Sequence, residues 1–190
     1  MKISKDGNTN STNEEESAIT AALDAIRRCC LFYQISIATA ESVSAGLLQS
    51  LLSSAEEAGL FFEGGITLYN CKQKQRQLDI PSDICNPSNG VTAEISRQMA
   101  LNVCELFDCR LGLSLTGYAS PIPEQNIEDL FAFGSVALDG EIIYCGKIIG
   151  RNQEPDELKE EYARRLIIEC ASALLSKMDR DERGINGLSG

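Results

Sequence analysis

Histidine is absent from the 190-residue chain, and no other feature of the composition excludes as much chemistry. Without imidazole there is no Ser-His-Asp or Cys-His nucleophile system and no ordinary imidazole zinc site. Any acyl transfer must take its base from Lys, Tyr, Asp or Glu. Positive charge is also scarce: 17 Lys and Arg face 28 Asp and Glu, a net charge of -11. Such a surface repels nucleic-acid phosphates and anionic membranes. It argues against a nucleic-acid groove but leaves room for a local basic pocket holding one small phosphate. No run of eighteen apolar residues occurs and the polar N-terminus lacks an apolar h-region, so neither a membrane span nor secretion is expected. GxGxxG and P-loop strings are missing too, which removes the dinucleotide and triphosphate cradles built on them.

The eight cysteines include no C-x-x-C pair, and several lie in apolar runs such as 143–149. They read mostly as small buried hydrophobes of a reducing, cytoplasmic compartment, because disulfide frameworks belong mainly to small secreted chains. Carboxylates gather at Glu154, Asp156, Glu157, Glu160 and Glu161. They fit a charged helix start better than a metal site, and neither a metal nor a cofactor is expected.

The length suits one domain. Residues 1–14 are rich in Ser, Asn, Lys and Gly and predict a disordered segment; 15–178 carry the folded domain, and 179–190 a mobile tail. A helical pattern over 15–32 precedes a short buried strand at 35–40. That strand runs into Glu41-Ser42-Val43-Ser44-Ala45-Gly46 and a helix through Leu47, Leu48, Leu51 and Leu52. A strand at 66–69, a helix over 93–107, a strand at 110–116, a hairpin turning at Asp139-Gly140 and a last helix over 154–178 follow. The order predicts a three-layer α/β/α fold with a mostly parallel or mixed central sheet in a single domain.

Three predicted strands end in small polar residues: at 39–46, at Leu68-Tyr69-Asn70 with Lys74 one helical turn on, and at Leu115-Thr116-Gly117-Tyr118-Ala119. As parallel neighbours they would open their carboxyl ends on one edge, where α/β folds place ligands. Ser42 is a candidate nucleophile beside helix N–H groups that could hold an oxyanion; the plainer alternative is that Ser42 or Ser44 caps the helix. Lys74 is a candidate base if Lys72, Arg76 and partial burial depress its pKa, the alternative being a solvated lysine face. Tyr69 can relay a proton, stack on a ring or fill core. Glu41 can be an acid, a helix-dipole partner or a structural acceptor.

Taken together, these segments resemble the C-terminal domain of the CinA family, the competence/damage-inducible proteins. The family's T-A-E-S-C-T-G-G is similar to Thr39–Gly46, its F-x-x-G-x-x-T-Y-S-N-E-A-K to Phe62–Lys74, its G-A-V-S-E to Asn89–Glu94, and its T-G-I-A-G-P to Thr116–Pro121, in the same order and spacing. Stand-alone members are nicotinamide-nucleotide amidohydrolases. The resemblance therefore implies conversion of nicotinamide mononucleotide to nicotinate mononucleotide and ammonia, with Ser42 as nucleophile, Lys74 as general base and Tyr69 in support. It places Glu41, Ser44, Gly46, Thr116 and Gly117 in the substrate pocket, and Arg151 against the phosphate. The partner it implies is a small nucleotide; oligomeric state, self-association included, is left open. The alternative is a divergent, non-catalytic member that binds a small ligand or a protein. Three departures stand out. The glycine-rich continuation after T-G-I-A-G-P is replaced by Ile122–Phe133, Ala45 takes a glycine position beside Ser42, and Cys71 takes an asparagine position.

Overall fold

The computed structural model of the chain describes residues 9–151 and 154–187. Five strands form one sheet in the order β2-β1-β3-β4-β5. β1 (Ile37–Glu41) lies between β2 (Phe62–Thr67) and β3 (Leu111–Gly117), parallel to both. β4 (Phe131–Leu138) and β5 (Glu141–Ile149) complete the sheet antiparallel. The sheet is thus mixed, because the hairpin at Asp139-Gly140 turns the chain straight back; both residues take positive φ, 51° and 80°, the backbone a tight hairpin turn needs.

Side-chain alternation along the strands builds two cores. Ile37, Leu111, Leu113 and Leu115 point to one face, where they meet α1 (Thr9–Tyr33), α2 (Leu47–Ser53) and α6 (Pro155–Gly187). Ala38 and Ala40 point to the other, against Ile95, Met99 and Val103 of α5 (Ala93–Phe107) and against Leu78 of α3 (Cys71–Leu78). The short α4 (Ser82–Cys85) closes that second layer. Helices therefore cover both faces of the sheet. α5 starts where the Thr92 hydroxyl accepts from the Ile95 N–H at 3.1 Å, a side-chain cap, and stops where Asp108 turns left-handed at φ 49°.

Two helices outrun their sequence patterns. α1 begins at Thr9 rather than near residue 15, and α6 continues to Gly187 rather than ending near 178. Each end is supported by the other helix: Arg164 pairs with Glu16 at 2.8 Å, and the Tyr33 hydroxyl donates to Glu182 at 2.7 Å. Such contacts join residues remote in sequence, which a local pattern does not register. The rest of the segments predicted to be disordered or mobile, residues 1–8 and 188–190, lies outside the described residues. No helix among the described residues is long and apolar enough to cross a membrane.

Candidate active site

Parallel pairing of β1 with both neighbours brings three strand ends to one edge. The ladder extends past the strands: the Leu68 N–H donates to the Glu41 carbonyl at 2.7 Å, and the Ser42 N–H to the Leu115 carbonyl at 2.9 Å. Ser42 is thereby fixed at the central strand's exit. From the β2 side, α3 is capped by Asn70, whose side chain accepts from the Gln73 N–H. One turn into that helix Lys74 points inward, 1% exposed.

The Lys74 Nζ donates to the Ser42 Oγ at 3.1 Å and to the Leu68 carbonyl at 2.8 Å. A hydroxyl and an amine 32 residues apart thus share one buried hydrogen bond. Burial alone lowers the Lys74 pKa to about 8, because the low-dielectric surroundings disfavour the ammonium form. Lys72 and Arg76, the sequence-based candidates for this effect, are not among its causes. Lys74 is therefore not part of a solvated lysine face, and Ser42 does not cap α2.

Capping falls to Glu41. Its fully buried carboxylate accepts from the Ser44 hydroxyl at 2.6 Å and from the N–H groups of Gly46, Leu48 and Gln49 at 2.9, 3.1 and 2.9 Å. The N–H groups at the start of α2 are thus already taken, contrary to the sequence expectation that they would face an oxyanion. Glu41, Ser44 and Gly46 form a brace beneath the Ser42 turn. Thr116 also sits behind the wall, fully buried, with its hydroxyl donating to the Gly90 carbonyl at 2.8 Å. Ala45, at φ 53°, occupies a left-handed position that glycine fills more easily.

A cavity of about 240 Å³ opens in front of Ser42. Val43, Gly117 and Ala119 line it, and Tyr69, 77% exposed, stands at its rim rather than in the core. Lys159, from the start of α6, is the cation on this cavity's wall. Its ammonium pairs with Asp156 at 2.8 Å, which raises its pKa. Arg151 is exposed and does not line the cavity; its backbone N–H donates to the Glu161 carboxylate at 3.1 Å. The segment replacing the glycine-rich loop contributes Ile122 here, and Gln125 and Ile127 to an adjoining cavity of about 400 Å³ that shares Asn89 and Tyr118. Asn89 donates to Gln125 at 3.1 Å across that second space.

Sequence reasoning gave no individual role to Lys159, Asn89, Val91 or Tyr118, all on the cavity wall. Asn89, Val91 and Tyr118 lie within the strings compared above, Asn89 also in the turn dipeptide Asn89-Gly90, whereas Lys159 carried no local signal. Sequence reasoning also missed a disulfide joining Cys71 to Cys85, Cα atoms 5.7 Å apart. Cys29, Cys30 and Cys170 are free and buried, as expected of apolar thiols.

Fold and site define a class: a three-layer α/β protein with a buried Ser–Lys pair at the carboxyl edge of its parallel strands. The chain belongs to the CinA family, since the family model described as the CinA C-terminal domain matches residues 12–154. Curated relatives from Bacillus cereus and Bacillus anthracis, named as competence-damage inducible proteins, are 28% identical over 130 residues, 67% of this chain. The chain spans 32% of the length of those relatives. Among solved structures, the competence or damage-inducible protein of Enterobacter asburiae superposes with a TM-score of 0.76 at 16% identity, over 82% of this chain and 98% of that one. A CinA superfamily protein of Escherichia coli gives 0.74 at 20% identity, over 82% and 90%. At these identities the superpositions speak for the fold.

Proposed function

We propose that this chain is a Ser–Lys amidohydrolase that removes the amide nitrogen of nicotinamide mononucleotide, working in the cytoplasm. The observation that carries the reading is the 3.1 Å contact between the Ser42 hydroxyl and a lysine amine whose pKa burial brings to about 8. At neutral pH roughly a tenth of such an amine is unprotonated, enough to serve as a base.

In the neutral form Lys74 accepts the Ser42 proton while the Leu68 carbonyl holds its Nζ in place. The Ser42 Oγ attacks the carboxamide carbon. The backbone N–H groups of Val43 and Ser44, which follow directly on the nucleophile, are the candidate oxyanion donors. Lys74, now an ammonium, protonates the departing nitrogen as ammonia. Water deprotonated by Lys74 then attacks the acyl-Ser42 ester and releases the carboxylate product. In this reading Tyr69 at the rim stacks on the pyridine ring, and Lys159 meets the phosphate in the part assigned to Arg151 from the sequence.

The test is ammonia release from nicotinamide mononucleotide by purified protein, with Ser42→Ala and Lys74→Ala each losing nearly all activity, since nucleophile and base act as a unit. Near-normal rates in either variant would end the Ser–Lys proposal. One observation favours the alternative of a non-catalytic binder: the cation on the cavity wall, Lys159, is already paired with Asp156. That alternative expects ligand binding without ammonia release at high protein concentration.

A further inference from the structure

We infer that Cys71 and Cys85 are a reversible thiol–disulfide modification site that sets how firmly Lys74 is held against Ser42, with a low-molecular-weight disulfide as the oxidant. The effect on catalysis rests on the Ser–Lys reading above; the modification itself does not.

The bridge stands directly behind the base. Cys71 is the first residue of α3 and Lys74 lies one turn on, so the two share a helix face. Cys85 is the last residue of α4. Gly90 packs against both: a Cβ built there would lie 3.3 Å from both sulfurs and 3.4 Å from the Lys74 Cδ. Bridge, glycine and lysine stem therefore form one packed layer. The Gly90 N–H donates to the Cys85 carbonyl at 2.9 Å, and its own carbonyl accepts from Thr116 at 2.8 Å. Asn89 and Val91, on either side of Gly90, line the cavity in front of Ser42. What happens at the sulfurs is thus passed to the base through α3 and to the cavity wall through Gly90.

The site has a reachable end. Cys71 is partly exposed whereas Cys85 is fully buried. The Cys71 thiolate attacks one sulfur of the reagent disulfide and expels one thiol, giving a mixed disulfide; the Cys85 thiolate then attacks the Cys71 sulfur and expels the second. The cysteine pair loses two electrons to the reagent, and the two thiol protons leave with the two released thiolates. Disulfides in reducing compartments are mostly transient and redox-sensing, and the buried free thiols elsewhere in the chain fit such a setting.

Two thiols need about 1.5–2 Å more room than a bonded pair. Reduction therefore opens the layer around Gly90, unpacks the Lys74 stem and admits water to the amine, which weakens it as a base at neutral pH.

The experiment equilibrates the wild-type protein in oxidised glutathione or in dithiothreitol. Alkylation mapping after acid quench and unfolding then scores Cys71 and Cys85, hydrogen exchange is followed at the amides of residues 74–78 and 90, and the rate of Ser42 phosphonylation by a fluorophosphonate, with loss of fluoride, is measured. Both cysteines should resist alkylation only after oxidation. On reduction, exchange at those amides should rise at least tenfold and phosphonylation at pH 7 should slow about tenfold. The C71S/C85S double variant should match the reduced form in both buffers; should it fail to fold, the reductant titration of the wild type decides the matter. Alkylation of both cysteines after full equilibration with oxidised glutathione would overturn the proposal, as would a bridge that cycles with no change in exchange. A Ser42 that takes no fluorophosphonate in either state would sink the hydrolase reading alone, because the exchange data still decide this one.

Discussion

Replacing Lys74 by methionine keeps most of the buried volume and removes the charge, so it isolates what the site costs the fold. Lys74 is 1% exposed and its pKa lies near 8 rather than 10.5. The native state therefore binds the proton more weakly than the unfolded chain does. Below pH 8 both states are protonated and the full penalty is present, about 3.4 kcal/mol for a difference of about 2.5 pH units. Between pH 8 and 10.5 the native state sheds the proton first, and wild-type stability rises toward that of a neutral side chain. Methionine also abandons the hydrogen bonds to the Leu68 carbonyl and the Ser42 hydroxyl, a loss of about 1–3 kcal/mol. At pH 7 the variant should thus match the wild type or exceed it by up to about 2 kcal/mol, while having no activity. The cleaner quantity is the pH dependence of the difference. From pH 7 to pH 10 the wild type should gain about 2.4 kcal/mol on Lys74→Met, read by urea unfolding of both proteins in the same buffers. Other titrating groups cancel in that subtraction. A difference that stays flat across the range would mean that Lys74 titrates like a solvated lysine, and the case for it as a neutral-pH base would fall.

Other perturbations test the site's parts. If Lys74 is the base, ammonia release should rise with pH through about 8 and level off above it, since the neutral amine is the working form; a rate independent of pH between 6.5 and 9 would exclude it. Glu41→Ala strands the Ser44 hydroxyl and the N–H groups of Gly46, Leu48 and Gln49, and should lower unfolding free energy by about 3 kcal/mol or more, whereas a loss below about 1 kcal/mol would show that the brace is dispensable. Ala45→Gly relieves a left-handed alanine at φ 53° and should stabilise the chain by about 0.5–1 kcal/mol in chemical denaturation; destabilisation would contradict the strain argument. If the substrate is the proposed nucleotide, Lys159→Met should raise its KM about tenfold with little change in kcat. An unchanged KM would remove Lys159 from phosphate binding.

Local chemistry made much of this protein legible in one dimension. Short apolar runs marked the strands, Thr92 announced α5 and Asp139-Gly140 announced the hairpin, while strand-end position and the family resemblance offered Ser42 and Lys74. Those features depend on neighbours within a few residues, and the chain writes them directly. Side-chain roles did not follow from spacing in the same way. Ser44 and Gly46 share a string with Ser42, and Thr116 opens another, yet their polar groups turn inward to Glu41 and Gly90, because a buried carboxylate and a buried carbonyl must find donors. Tyr69 stands at the rim, and Arg151 lies off the cavity while Lys159 lies on it.

Those outcomes belong to the tertiary structure for one physical reason. Burial and proximity between distant segments decide them, and both are set by the packing of layers. Parallel pairing of β1 with β2 and β3 brings Ser42 and Leu68 within reach of one amine. The docking of α3 on α5 strips that amine of water and lowers its pKa. The fold of the 71–90 segment, not any C-x-x-C spacing, places two sulfurs behind it. The amino-acid order thus determined which groups were available and where the strands end; only the closed fold determined which of them meet, and in what dielectric.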